Sequence, residues 1–297
     1  MESLEAFDYA TFSDRNLGFV SAQEQQRLRE STVFVCGVGG MGGACVLALA
    51  RAGVGRLVLA DIDHFEMSNL NRQVFAFTDT VGEHKAEATA ERCRRINPQL
   101  DLTVLHGDWP DHVEAAVRRS GAVVNGTDDL AASLLLYRTS RRLERSVVDA
   151  YASPLPSVYV TRPHEPMPEE RLGYPTRDTA WDRVDEAQRR AAFLCEAEHV
   201  LLHSSSRNYI DMGLAADVAA GRRSRMSFAP MVITTGMLMA YETIALLLGR
   251  TTACDCRGWF FNPYTARVEH PRNALAAAVL RPLVRHGIRK LLDGAAA

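Results

Sequence analysis

The chain is expected to form an α/β fold: a doubly wound, Rossmann-like and mainly parallel sheet, with an inserted helical segment and a C-terminal hairpin and helix. Three observations predict this. Short apolar runs alternate with helix-length segments through the first half. A glycine-rich turn, Gly37-Val38-Gly39-Gly40-Met41-Gly42-Gly43, leaves the first run and opens an alanine-rich segment. The second run ends in an acid, Asp61.

The elements follow in order. Ser21 and Glu24 have capping-box spacing, so a short polar helix runs from there to Arg29. Thr32–Cys36 reads as a buried strand, and the helix after the glycine turn reaches Ala52. Arg56–Ala60 is the second strand, and a helix from about Glu83 to Ile96 is closed by Asn97-Pro98. Leu102–Leu105 and Ala122–Asn125 are further strands, Leu130–Leu143 is a helix, and Val147-Val148 begin a fifth strand. The pattern then changes. Residues 162–228 are polar, with Pro163, Pro166, Pro168 and Pro175 clustered and helical stretches near 181–203 and 207–220. An apolar helix over 230–248, a hairpin of Trp259–Phe261 with Ala266–Val268, and a basic amphipathic helix over 274–292 complete the chain. The expected organisation is a nucleotide-binding unit over 1–160, an inserted substrate-facing segment over 161–228, and closing elements of the same domain over 229–297.

Composition narrows the function classes. The 297 residues are 47% hydrophobic, ample for a large core. The formal net charge of −2 argues against a dedicated nucleic-acid binder. Six scattered cysteines suggest reduced thiols and a cytoplasmic protein. The first residues lack the basic start and apolar run of a secretory signal. The stretch 229–249 has about the length of a membrane span, but Glu242 and its threonines favour a buried helix, so no membrane partner is expected.

Gly37, Gly39 and Gly42 form a Gly-x-Gly-x-x-Gly turn between strand and helix. Glycine lets the backbone turn tightly and approach a phosphate, and the helix N-terminus offers free N–H groups and a positive dipole end. Asp61 is placed to accept ribose hydroxyls. These features suit NAD and ATP equally, so a nicotinamide-dependent oxidoreductase remains the rival reading.

Further residues separate the two. After Asp61 come Asp63, then Ser68-Asn69-Leu70-Asn71-Arg72-Gln73, then Gly82-Glu83-His84-Lys85, and after the fourth strand Thr127-Asp128-Asp129. In order and spacing these resemble the ThiF/MoeB/ubiquitin-activating-enzyme superfamily, over roughly residues 10–160 and more weakly over 226–270. The resemblance implies an adenylyltransferase that binds ATP and Mg²⁺ and activates a carboxylate as an acyl-adenylate. Gly37, Gly39, Gly40, Gly42, Asp61, Asp63, Asn69 and Gln73 would bind nucleotide. Arg72 and Lys85 would hold the triphosphate against an anionic attacker, because two anions must meet. Asp128 would hold Mg²⁺, a hard ion suited to carboxylate and phosphate oxygens, or merely cap the next helix. Arg15 resembles the arginine this family lends across a homodimer interface.

The chain also departs from that pattern. Many relatives carry two Cys-x-x-Cys pairs for structural zinc; here only Cys254-Asp255-Cys256 occurs, so zinc is not expected. Cys195 is flanked by acids that would raise its pKa, against a thioester role. Arg222-Arg223-Ser224-Arg225 could steer a carboxylate, with a solvated face as the plainer reading. The expected partner is a carrier protein, peptide or small molecule bearing a carboxylate, in a specialised biosynthetic pathway. A tRNA-modifying relative is the alternative within the superfamily, and nucleic acid is otherwise not an expected partner.

Overall fold

A computed structural model describes residues 6–294. Its centre is one eight-stranded sheet in the order β3-β2-β1-β4-β5-β6-β7-β8. The parallel part comprises β1 (Thr32–Cys36), β2 (Arg56–Ala60), β3 (Asp101–Leu105), β4 (Ala122–Asn125) and β5 (Val147–Asp149). Buried on both faces, β1 and β4 are runs of apolar residues without alternation. The chain reverses order between β1 and β4, and the glycine turn leaves β1 at that switch point, where open α/β sheets bind ligands beyond the strands' carboxyl ends.

The sheet extends past the expected five strands. β6 (Ser157–Thr161) pairs antiparallel with β5, then β7 (Trp259–Asn262) and β8 (Arg267–Glu269) continue antiparallel. The hairpin expected from the sequence is therefore an edge of the main sheet. β6 escapes the sequence reading because it follows β5 without an intervening helix, so the βα rhythm gives no cue. Also absent from that reading are α1 (Tyr9–Ser13) and α5 (Trp109–Arg119); α5 is half charged on its outer face and packs Trp109, Val113 and Val117 inward.

The remaining helices are α2 (Ala22–Glu30), α3 (Gly40–Arg51), α4 (Lys85–Ile96), α6 (Leu130–Arg142), α7 (Pro168–Leu172), α8 (Glu186–His203), α9 (Met212–Ala219), α10 (Ala229–Leu248) and α11 (Ala274–Gly294). The capping box of α2 forms as its spacing requires, with Glu24 N donating to Ser21 Oγ and Ser21 N to Glu24 Oε2. α10 is long and apolar enough to cross a membrane, yet half of that window is buried in this fold. It lies against α3 so closely that a Cβ on Gly236 would stand 2.5 Å from Ala44 Cβ and from Met41 O. Small residues on both helices make that approach possible, and it fixes the helix that begins at the glycine turn.

The inserted segment is fastened to the sheet layer rather than free. Arg138 and Arg141 of α6 each fork onto a carboxylate of α7, Glu169 and Glu170, at 2.7–2.9 Å. Glu198 of α8 pairs with Arg281 and Arg285 of α11.

Candidate active site

The glycine turn is held shut by backbone contact. Gly37 has φ +86°, and a Cβ there would sit 2.5 Å from Gly126 C and Thr127 N. A Cβ on Gly42 would lie 1.9 Å from Gly37 O, and one on Gly126 would lie 2.3 Å from the same oxygen. Three glycines from β1, α3 and β4 thus interlock, and only residues without Cβ fit. Gly126 was not singled out in the sequence, although a glycine between a buried strand and an acid is the available signal. Gly39 is freer: its added Cβ would meet only Gln73, at 3.5 Å.

Asp61 fixes the turn from β2. Its Oδ2 accepts from Val38 N at 2.8 Å, and its Oδ1 from Asp63 N at 3.0 Å. The acid thus shapes the turn as well as standing beside it. Asp63 in turn receives Lys85: Nζ lies 2.9 Å from Oδ2, and Lys85 N donates to Asp63 O at 2.9 Å. Lys85 is the first residue of α4, two places later than the start expected from the sequence.

Asn69 is buried and works on its own turn, its Oδ1 accepting from Glu66 N at 3.1 Å. Gln73 is buried beneath the glycine turn with Oε1 unpartnered, so one acceptor near Gly39 is still available. Arg72 folds back on its own segment, Nη1 donating to Ser68 O at 2.7 Å and Asn71 Oδ1 at 2.8 Å. It therefore does not meet Lys85.

Asp128 and Asp129 follow Gly126-Thr127 at the end of β4. The helix cap is Asp129, not Asp128: its Oδ1 accepts from Ala132 N at 2.8 Å. Asp129 also pairs with Arg189 of α8. The Asp128 side chain is 80% exposed, with Arg225 Nη1 at 3.7 Å as its partner. Sequence reasoning did not foresee these two arginine contacts, since the elements concerned are far apart in the chain.

Arg15 stands elsewhere. It lies in a short 3-10 turn, Asp14–Asn16, whose Asn16 donates to Ala52 O at 3.3 Å, past the end of α3 remote from the glycine turn. At 1.5 Å per residue α3 is roughly 18 Å long, so within one chain Arg15 is not brought to the site.

Behind the site, the insertion covers the carboxyl end of β5. Asp149 is fully enclosed, accepts from Tyr137 OH at 2.8 Å, and is pushed up to about 7 by burial. Arg171 reaches Tyr151 OH at 2.7 Å and His199 Nδ1 at 3.3 Å. Burial, then the Arg171 charge, hold His199 neutral at about 2. Cys195 on α8 is half-buried, and burial followed by Glu198 pushes its thiol up, which disfavours a nucleophilic thiolate. Cys254 and Cys256 are buried free thiols; Cys254 Sγ packs against Val158 O at 3.4 Å.

Comparison with known proteins agrees with this arrangement. The chain is 37% identical over 113 residues to the sulfur carrier protein ThiS adenylyltransferase of Escherichia coli K12, covering 38% of this chain and 45% of that one. It is 41% identical over 91 residues to the tRNA threonylcarbamoyladenosine dehydratase of Bacillus subtilis, covering 31% and 36%. The aligned part thus spans less than half the length of these curated relatives. In fold, it is similar to the E. coli dehydratase TcdA in complex with AMP, with TM-score 0.59 at 20% identity over 84% of this chain and 98% of that one. The microcin C7 biosynthetic enzyme MccB in complex with N-formylated MccA gives TM-score 0.59 at 18% identity, over 85% and 68%. The ThiF family description itself matches residues 13–278, and the chain belongs to the ThiF family.

Proposed function

We propose that this protein is an ATP-dependent adenylyltransferase that activates a carboxylate as an acyl-adenylate. The observation that carries the reading is the buried lysine, Lys85, tied through Asp63 to Asp61 and so to the glycine turn. A nicotinamide dinucleotide presents a smaller phosphate charge and no phosphorus under attack, whereas a triphosphate attacked by an anion calls for a cation there.

In this reading the N–H groups at the start of α3 cradle phosphate oxygens. Asp61 is the acceptor for ribose hydroxyls, and Gln73 adds an amide beside Gly39. Lys85 neutralises the phosphates, and Arg72, a long half-buried side chain, joins it by leaving Ser68 and Asn71. The substrate carboxylate oxygen bonds to the α-phosphorus, the bond to the bridging oxygen breaks, and pyrophosphate leaves with that electron pair. No proton moves in this step.

Among the described residues no group of three or more His, Cys, Asp or Glu is arranged to hold a metal. One exposed carboxylate, Asp128, fits Mg²⁺ held mainly by phosphate oxygens and water. Bound there with ATP, magnesium supplies neutralisation of the phosphate charge. The protein acts in the cytoplasm as a homodimer, so that Arg15 reaches the partner's site. The substrate is a carrier-protein or peptide C-terminus, or a small carboxylate, of a specialised biosynthetic pathway; the fold likeness to a microcin biosynthetic enzyme supports that choice.

Pyrophosphate–ATP exchange across Gly-Gly-ended carriers, short peptides and small carboxylates tests this. Exchange driven by one class is expected. Exchange with none of them, together with thermal stabilisation by NAD(H) but not by ATP with Mg²⁺, would overturn the reading. Exchange with a standard sulfur carrier alone would overturn the biosynthetic assignment. The likeness covering 98% of a tRNA-modifying dehydratase favours a second reading, activation of a carboxyl on a nucleoside. Filter binding of tRNA at physiological salt separates the two.

A further inference from the structure

We propose that Arg225 anchors the substrate carboxylate, and that it is parked on Asp128 until nucleotide binds. This rests on the adenylation reading above. Two adjacent acids leave β4, and each meets an arginine of the inserted segment. The two pairs differ in kind. Asp129 has both oxygens committed, Oδ1 to the α6 cap and Oδ2 to Arg189, so that contact is a fixed fastening. Asp128 has one contact, to Arg225 Nη1 at 3.7 Å, beyond hydrogen-bond reach and with 80% of its side chain exposed. Such pairs contribute little, so Asp128 changes partner readily.

Arg225 is nevertheless held in place. Its guanidinium lies 5.3 Å from the centroid of the Phe193 ring on α8, a cation–π contact independent of Asp128. One turn along the same helix, half-buried Glu196 is fixed by Tyr174 OH at 2.7 Å. Once Asp128 takes the magnesium of bound ATP as its partner, Arg225 loses its ion pair with Asp128 and keeps only the longer-range attraction of Glu196, whose Oε1 is already held by Tyr174. A planar guanidinium on an aromatic seat receives a carboxylate with two parallel hydrogen bonds. The neighbouring Arg222 is already paired with Asp217. The insertion thereby supplies a substrate contact that becomes available only in the nucleotide-bound state.

The test uses the full chain, phenylglyoxal as an arginine reagent, and peptide mapping by mass spectrometry. A non-hydrolysable ATP analogue with Mg²⁺ is expected to raise Arg225 labelling about threefold, and N-acetylglycine, standing for a peptide C-terminus, to lower it again. Exposed Arg223 serves as the internal reference. No rise with the magnesium complex overturns the parking, and no protection by N-acetylglycine overturns the anchor. By calorimetry Arg225→Met is expected to bind the magnesium complex two- to fivefold more tightly, the scale of an exposed pair removed; equal or weaker binding counts against the proposal. If the unaltered protein does not bind the complex at all, the adenylation reading itself fails, a result distinct from the others.

Discussion

Lys85 and Asp63 are joined twice, by the 2.9 Å ion pair between side chains and by the 2.9 Å backbone bond from Lys85 N to Asp63 O. The two ends are unequal: the Lys85 side chain is 10% exposed and that of Asp63 is 62% exposed. Removing the acid strands a buried ammonium, whereas removing the amine leaves a carboxylate in water. Asp63→Ala should therefore destabilise the fold by about 1–2 kcal/mol, and Lys85→Met by less than 1 kcal/mol. Activity should run the other way, with Lys85→Met losing about 100-fold or more in pyrophosphate exchange. Urea unfolding and exchange assays on both variants check the crossed order; parallel losses would mean that Lys85 serves structure alone.

The interlocked glycines make a second prediction. Gly42→Ala places a methyl 1.9 Å from Gly37 O, a backbone atom that cannot move without reopening the turn. A loss of about 3 kcal/mol or more is expected, with nucleotide binding abolished. Gly107→Ala is the control, since a Cβ there meets nothing within 4 Å; its effect should stay within about 0.5 kcal/mol. Thermal unfolding with and without ATP and Mg²⁺ reads both quantities.

Asp149 gives stability a pH dependence of definite sign. Burial raises it from 3.8 to about 7 in the folded chain. Between those values the folded state binds the extra proton, so this group's contribution is largest below pH 4, falls as pH rises to 7, and is level above. Three pH units set an upper bound of roughly 4 kcal/mol. His199, lowered from 6.5 to about 2, acts oppositely: its contribution is present above pH 6.5 and lost as pH falls. The two partly cancel in the unaltered protein, so the difference between variants is what isolates each. The melting-temperature advantage of Asp149→Asn over the unaltered chain should grow from pH 5 to pH 8. A constant difference would place the Asp149 titration outside that window.

The parallel half of the fold is legible because each step carries a local signal: an apolar run, then glycine or an acid, then a helix. The same signals locate Gly37, Gly42, Asp61 and Lys85 at one end of the sheet. What the sequence hides is pairing between distant segments. Nothing near β6 tells that it turns back against β5, and nothing near Arg225 or Arg189 tells that the two acids between β4 and α6 will meet them. The choice between Asp128 and Asp129 as helix cap is equally silent, since both precede an apolar helix and only backbone geometry decides. The motif that singles out Arg72 likewise says nothing of its bonds to Ser68 O and Asn71 Oδ1, which only the folded segment reveals.

Arg15 allows the dimer to be tested through chemistry. In one chain it sits beyond the far end of α3, roughly 18 Å from the glycine turn. A role in the site therefore requires a second copy. Arg15→Ala and Lys85→Met should each be weak alone. In an equimolar mixture that exchanges protomers, half of the dimers are mixed, and each mixed dimer holds one site with both an intact Lys85 and a partner's intact Arg15. Exchange should recover to about a quarter of the unaltered level, as two-fold symmetry requires. If Arg15 instead served its own chain, every site in the mixture would carry one defect and no recovery would occur. Mixing the two variants at a concentration where sedimentation shows a dimer thus distinguishes a borrowed arginine from a merely structural one.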